Sequence, residues 1–304
     1  MRLPDEIDVH GPVAAALSAG KPVVALESTI ITHGMPWPQN NDMAAEVEEI
    51  VAAEGAVPAT IAVLDGRLKI GLSPEERERL AQSQDAMKLS RADLAFAIAR
   101  GRTGGTTVAA TMIAAHLAGI SVFATGGIGG VHQGAEKSFD ISSDLDELAR
   151  TPVIVVSAGP KAILDIPKTL EVLETRGVPV VGFGTDAMPA FWSRSSPCPA
   201  PLRLDAAEEV AQFQKARSRL GISGGMLIGN PVPEEAEIPA QEMAGYIAEA
   251  QADADRARIS GKAVTPFLLA RILEITRGRS LKTNIALVKN NARLAARIAI
   301  ALSA

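Results

Sequence analysis

The sequence predicts an α/β protein, a three-layer α/β/α sandwich around a mostly parallel sheet, with a small β-hairpin element. Three observations carry this. Short apolar segments alternate with longer amphipathic ones through most of the chain, the rhythm of strand–helix–strand units. The segments Ile120 to Thr125, Val153 to Ser157 and Pro179 to Gly184 are nearly continuous apolar runs, as strands buried on both faces are. Asp65-Gly66 is a type I′ turn sequence between Ala59 to Val63 and Leu68 to Leu72, which makes one local antiparallel pair. With 304 residues, no internal repeat and no Gly/Ser/Pro-rich linker, one domain spanning residues 1–304 is expected.

Taken in order, Pro22 to Ile31 reads as a buried strand with Glu27 and Ser28 inside it, where apolar residues are expected. THGMPWPQN carries Gly34, Pro36 and Pro38 and reads as an irregular loop before a helix from Asp42 to Ala53. After the hairpin, Ser73-Pro74-Glu75-Glu76 opens a helix. The serine caps free amides, proline suits the first position and glutamate closes a capping box. Ser90 and Asp93 repeat that logic for a helix to Arg100, and Thr106 to Leu117 forms another. Further on, Ala206 to Leu220 and Gln241 to Ala257 read as helices, Met226 to Gly229 as a short buried strand, and Ser280 to Leu302 as a long closing helix.

Composition narrows the function. A formal charge of −5 and a pI near 5.5 oppose a nucleic-acid binder, which needs a basic face. A single cysteine, Cys198, leaves no internal disulfide and no cysteine-cluster metal site, so any metal must rest on oxygen ligands. The apolar runs are too short to cross a bilayer, and Met1 to Val9 holds Asp5, Glu6 and Asp8 where a secretory signal would be basic and apolar. A cytoplasmic address is expected.

Ligands of parallel sheets sit beyond the strands' carboxyl ends, and the least ordinary sequences follow those ends. GGIGGVHQG after Thr125 is either a tight turn or a loop whose amides approach a phosphate, and the nearby hydroxyls of Thr106, Thr107 and Thr125 favour the phosphate. It lacks the G-x-G-x-x-G spacing, since the final position is His132. Glu27 is costly to bury ionised, so it is either paired or held protonated as a general acid. Ser28, Thr29 and His33 are open between turn chemistry and ligand contact. Lys161, after VVSAGP, stands at a strand end. Either it and Lys88 are ordinary solvated surface lysines, or partial burial and the positive charge of Lys88 free its amine for imine formation with a sugar aldehyde. Asp140 and Asp144, with Ser142 and Ser143 between them, are either hard ligands for a divalent ion or an ordinary helix start. Asn284, on the buried stripe of the last helix, either faces a pyrimidine edge or ties a loop.

Ten stretches, ALESTIITHGMPWPQN, ATIAVLDGRLKIGLS, KLSRADL, GGTTVAATM, VFATGGIGGVHQGAEKSFDISSDL, SAGPKAILD, DAMPAFW, GGMLIGNPVPEE, TPFLLARI and SLKTNIALVKNNA, stand in this order from about Lys21 to the end. Together they closely resemble the pseudouridine-5′-phosphate glycosidase family. The resemblance implies a homotrimeric α/β/α enzyme that reversibly cleaves the C1′–C5 bond of pseudouridine 5′-phosphate, giving uracil and ribose 5-phosphate through a ring-opened lysine adduct. It implies Glu27 as proton donor, Lys161 as nucleophile and Asp140 as a ligand of Mn2+. Lys88, Val108, Ser142, Ser143 and Asp144 are implied around the substrate, and Asn284 on the base. Pro160 departs from the alanine that many members carry before the lysine. The alternatives are a sugar or nucleoside kinase-like enzyme and a non-catalytic sensor of a phosphorylated ligand.

Overall fold

A computed structural model describes residues 3–259 and 264–304 and shows the α/β/α sandwich. The chain opens with β1 (Ile7–Val9), α1 (Gly11–Ser18) and β2 (Val23–Leu26), followed by one turn of π-helix (Ile30–Gly34) and α2 (Gln39–Ala53). Next come β3 (Val57–Leu64), β4 (Arg67–Ile70), α3 (Pro74–Gln82), β5 (Met87–Leu89), α4 (Arg91–Ala99), β6 (Gly104–Thr106) and α5 (Val108–Leu117). The middle of the chain forms β7 (Val122–Ala124), α6 (Ala135–Ser138), α7 (Ser143–Arg150), β8 (Ile154–Ser157), α8 (Ile166–Thr175) and β9 (Val180–Phe183). It closes with β10 (Leu202–Leu204), α9 (Ala207–Arg219), β11 (Met226–Gly229), α10 (Ala240–Arg256), α11 (Val264–Ile275) and α12 (Arg279–Ser303).

The main sheet runs β1-β4-β3-β2-β7-β8-β11-β9-β10, with β6 paired to β3 and β5 to β6. Every pairing from β3 across to β10 is parallel, while β4 and β6 run antiparallel to β3. Side chains of the central strands alternate between two cores, as the period of two requires. Val24, Leu26, Val156 and Ile228 face α2, α9, α10, α11 and α12, whereas Ala25, Val155 and Leu227 face α1, α4, α5, α7 and α8. Both faces are therefore dry, which is why these strands read as unbroken apolar runs.

The hairpin forms with Val63 opposite Leu68 and Leu64 opposite Arg67, and Asp65 and Gly66 both take the positive φ that a type I′ turn needs. At Ser73 both arms of the capping box are made: its hydroxyl accepts from Glu76 N at 3.2 Å and its amide donates to the Glu76 carboxylate at 3.0 Å. At Ser90, Asp93 accepts from the Ser90 amide at 2.9 Å, and the Ser90 hydroxyl also meets the Ser143 hydroxyl at 2.6 Å. α12 is 25 residues long, about 38 Å. Leu287, Asn291, Leu294 and Ile298 form its buried stripe over β2, β7 and β8.

Several sequence expectations need correction. The strand expected from Pro22 to Ile31 ends at Leu26, so Glu27 and Ser28 lie just past its carboxyl end rather than inside it. Pairing stops there because Ser28 turns inward: its hydroxyl donates to Ile61 O at 2.6 Å and accepts from Thr106 N at 2.9 Å. The following residues do not form an irregular loop throughout, since Ile30–Gly34 is a helical turn and α2 begins at Gln39. β1, α1, β5, β6, β10 and α11 were not expected. Four of these are three-residue strands, too short to show a period.

Candidate active site

Strand addition reverses at β2, which has β3 on one side and β7 on the other, the position at which open parallel sheets place their ligands. Glu27 follows β2 and Lys161 follows β8. With Thr29 and Lys88 they border a cleft of two lobes, of about 370 and about 750 Å³. The smaller lobe is walled by the π-turn, Phe191, α11 and the start of α12. The larger is walled by the first turns of α4, α5 and α7 and by His132 and Asp140. Among the described residues, no helix is long and apolar enough to cross a membrane.

Glu27 is fixed by its neighbours: the Thr29 and Thr125 hydroxyls each donate to one of its carboxylate oxygens. Thr125 is almost fully buried and lines only a small cavity behind Glu27, away from both large lobes. The contact it makes is therefore to the acid, not to a ligand in either lobe.

Lys161 is placed by two loops that zip together. Ile128 N donates to Gly159 O at 3.2 Å and Lys161 N donates to Ile128 O at 3.1 Å. This register uses residues 159 and 161 and leaves the nitrogen of residue 160 out of the ladder, so Pro160 forfeits no hydrogen bond there. Gly159 adopts φ +89°, and a Cβ on it would stand 2.2 Å from Pro189 O.

The glycine run is explained by close packing. A Cβ at Gly127 would meet the Phe191 ring at 2.6 Å, and one at Gly130 would meet the Thr169 hydroxyl at 2.4 Å. Its amides at Ile128, Gly129 and Val131 already donate to Gly159 O, Asp144 Oδ2 and Thr169 Oγ1. These three are not available to a phosphate, which favours the tight-turn reading of the sequence. Asp144 is correspondingly occupied: its other oxygen accepts from Ala109 N at 2.9 Å, so the carboxylate ties α5 to the glycine loop.

The larger lobe gathers positive potential from another source. Ser90, Thr107 and Ser142 are the N-caps of α4, α5 and α7, and all three line it together with Val108, Ser143 and Lys88. Helix starts present the positive end of the dipole. The Val108 side chain is buried, so what that residue can offer a ligand is its backbone at the start of α5. Arg91, not singled out from the sequence, also lines the lobe, with one guanidinium nitrogen on the buried Glu147. His132, likewise missed, is held below its usual pKa by burial. Asp140 opposes that shift, while Lys161 and Lys88 add to it. His33 in the smaller lobe is also lowered, by burial and by Lys88. Both shifts favour the uncharged imidazole. Arg91 and His132 had a positional signal, one following an N-cap and the other ending the glycine run.

Asp140 stands in the loop after α6 with its carboxylate partly exposed, Oδ2 lying 4.0 Å from His132 Nδ1. Among the described residues no three His, Cys, Asp or Glu side chains converge as a metal cluster. Asn284 lines the smaller lobe, and its Oδ1 is buried with no hydrogen-bond partner. The amide that ties a loop is Asn291, two turns along the same helix. It donates to Thr125 O at 2.8 Å and accepts from Asn230 Nδ2 at 3.0 Å. Asn291→Ala should lower stability by about 2–4 kcal/mol in urea unfolding, because buried partners on both sides are left unpaired.

The family model for indigoidine synthase A-like protein matches residues 12–301. The chain belongs to that family. It is 74% identical over 296 residues to a pseudouridine-5′-phosphate glycosidase of Mesorhizobium japonicum, covering 97% of each chain. It is 65% identical to one of Dinoroseobacter shibae, covering 99% of this chain and 98% of the other. Among solved structures, the prealnumycin C-glycosynthase in complex with ribulose 5-phosphate superposes with a TM-score of 0.91 at 39% identity, covering 99% of this chain and 98% of that one. An indigoidine synthase A-like protein of Thermotoga maritima gives 0.90 at 35%, covering 100% and 99%.

Proposed function

We propose that this chain is a pseudouridine-5′-phosphate glycosidase, cleaving the C1′–C5 bond of pseudouridine 5′-phosphate to uracil and ribose 5-phosphate in a reversible reaction. The observation that carries this is the meeting of Glu27, Lys88 and Lys161 at the junction of the two lobes, in a chain whose relatives bear that name. The phosphate lies in the larger lobe among Lys88, Ser90, Arg91, Thr107, Val108, Ser142 and Ser143. The base lies in the smaller one, where Asn284, whose buried Oδ1 has no partner, turns its side-chain amide to the ring edge.

Uracil is joined through carbon, so protonating a leaving heteroatom is not an option and the ribose must open first. The uracil ring pushes electrons toward C1′ while Glu27 protonates the departing ring oxygen. The amine of Lys161 then bonds to C1′. A proton arriving at C5 lets the C1′–C5 electrons leave with uracil, and ribose 5-phosphate remains as an imine on Lys161. Water hydrolyses the imine. Thr125 and Thr29 keep Glu27 aimed, and Asp144 holds the glycine loop against α5.

Asp140 would be the carboxylate that holds a Mn2+ ion, since hard divalent ions take oxygen ligands and can use as few as one or two carboxylates. Bound there, the ion would supply positive charge beside the larger lobe. Uracil release from pseudouridine 5′-phosphate, followed spectroscopically, tests the function. Chelation should remove activity, Mn2+ should restore it, and Asp140→Ala should not be rescued. Nucleotide-dependent phosphoryl transfer, or ligand binding without uracil release, would overturn the reading. We also propose a homotrimer, for which sedimentation should give three times the 31.7 kDa of one chain.

A further inference from the structure

Uracil carries polar atoms around most of its rim, and a site shaped for it alone would answer them with donors and acceptors. The smaller lobe is built differently. Thr29, Thr32, His33 and Thr265 line it beside Asn284, whose Oδ1 is buried without a partner, whereas Met35, Pro266, Leu269, Ala270, Leu273 and Leu281 face it with carbon. Ser280, the other polar residue of α12 on this wall, is already paired with Thr276. At about 370 Å³ the lobe falls in the range of sites that take drug-sized ligands, roughly 300–1,000 Å³. A single pyrimidine ring leaves part of this aliphatic wall without a partner.

We propose that this lobe also accepts uracils bearing an apolar alkyl or aryl group on a ring nitrogen, so that the enzyme makes and cleaves the corresponding C-nucleotides. The inference rests on the function proposed above and concerns its substrate range. The chemistry is unchanged. Ribose 5-phosphate and Lys161 form an imine with loss of water, and C5 of the substituted uracil attacks C1′. The C5 hydrogen leaves as a proton, and the sugar hydroxyl closes the ring as the lysine amine departs. Alkylation of N1 or N3 leaves the N1–C6–C5 system that makes C5 nucleophilic. Burying one methylene is worth about 0.8 kcal/mol, equivalent to about fourfold in affinity.

The test runs the reaction in the synthetic direction, with ribose 5-phosphate and uracil, then with its N1- and N3-methyl, propyl and benzyl derivatives, detecting acid-stable C-nucleotides by mass spectrometry. Uracil should react, and in at least one regioisomeric series kcat/KM should rise from methyl to propyl. Ala270→Phe should cut kcat/KM for that propyluracil at least tenfold more than for uracil. Turnover of uracil with none of either series, or with rates falling steadily as the group lengthens, overturns the inference and leaves the proposed function standing. No reaction with uracil itself overturns the function and the inference together.

Discussion

Lys161→Ala is expected to release no measurable uracil from pseudouridine 5′-phosphate, a loss on the order of 10⁵-fold, the scale an oriented intramolecular reactant contributes. The side chain borders both lobes, and its backbone amide, which the substitution keeps, makes the bond to Ile128 O. The variant should therefore fold with an unchanged melting temperature. Lys161→Arg should be equally inactive, because a guanidinium does not give up its proton to become a nucleophile. Borohydride reduction with ribose 5-phosphate should add one pentose phosphate to the native chain, at Lys161 by peptide mapping. The same adduct on the alanine variant would remove Lys161 from the mechanism.

Glu27→Gln is expected to lower kcat by about 10² to 10⁴-fold, the usual contribution of a positioned general acid, with a small change in KM. The amide occupies the carboxylate's place and can still meet Thr29 and Thr125, but it has no proton to give the departing ring oxygen. Ring opening should then limit the rate, so adduct formation on Lys161 slows as much as uracil release does. In the synthetic direction the imine with ribose 5-phosphate should still form in the variant. If steady-state turnover stays within about threefold of the native rate, the proton comes from elsewhere.

Much of the architecture was legible in the sequence because its signals are local. The hairpin follows from Asp65-Gly66, whose positive φ values are a property of the dipeptide. The helix at Ser73 follows from a reciprocal cap spanning four residues. The three-residue strands β5 and β6 carry no such signal. Gly104 and Gly105 are glycine within paired strand because a Cβ on them would meet Met87 O at 2.5 Å and the Thr32 hydroxyl at 2.4 Å, contacts made by distant residues.

The site divides the same way. The ten family stretches singled out Glu27, Lys88, Lys161, Asp140 and Asn284, and the caps Ser90 and Ser142 were readable as caps. Arg91 and His132 were not, since an arginine after an N-cap or a histidine after glycines is ordinary until the lobe around it exists. Nor did the sequence separate the threonine that holds the acid from hydroxyls that face a ligand. Thr125 takes that place because β7 pairs with β2, which brings its hydroxyl to Glu27.

Composition, periodicity and motif order by themselves determined the α/β class, the caps and turns, and the residues to suspect. Each of those depends on neighbours along the chain. The tertiary structure decided where strand β2 stops, which glycines serve packing, that Asp144 holds backbone amides, and that three helix starts share one lobe. Each of these depends on strand order and on hydrogen bonds between residues far apart in sequence, whose partners are fixed only once the sheet is assembled.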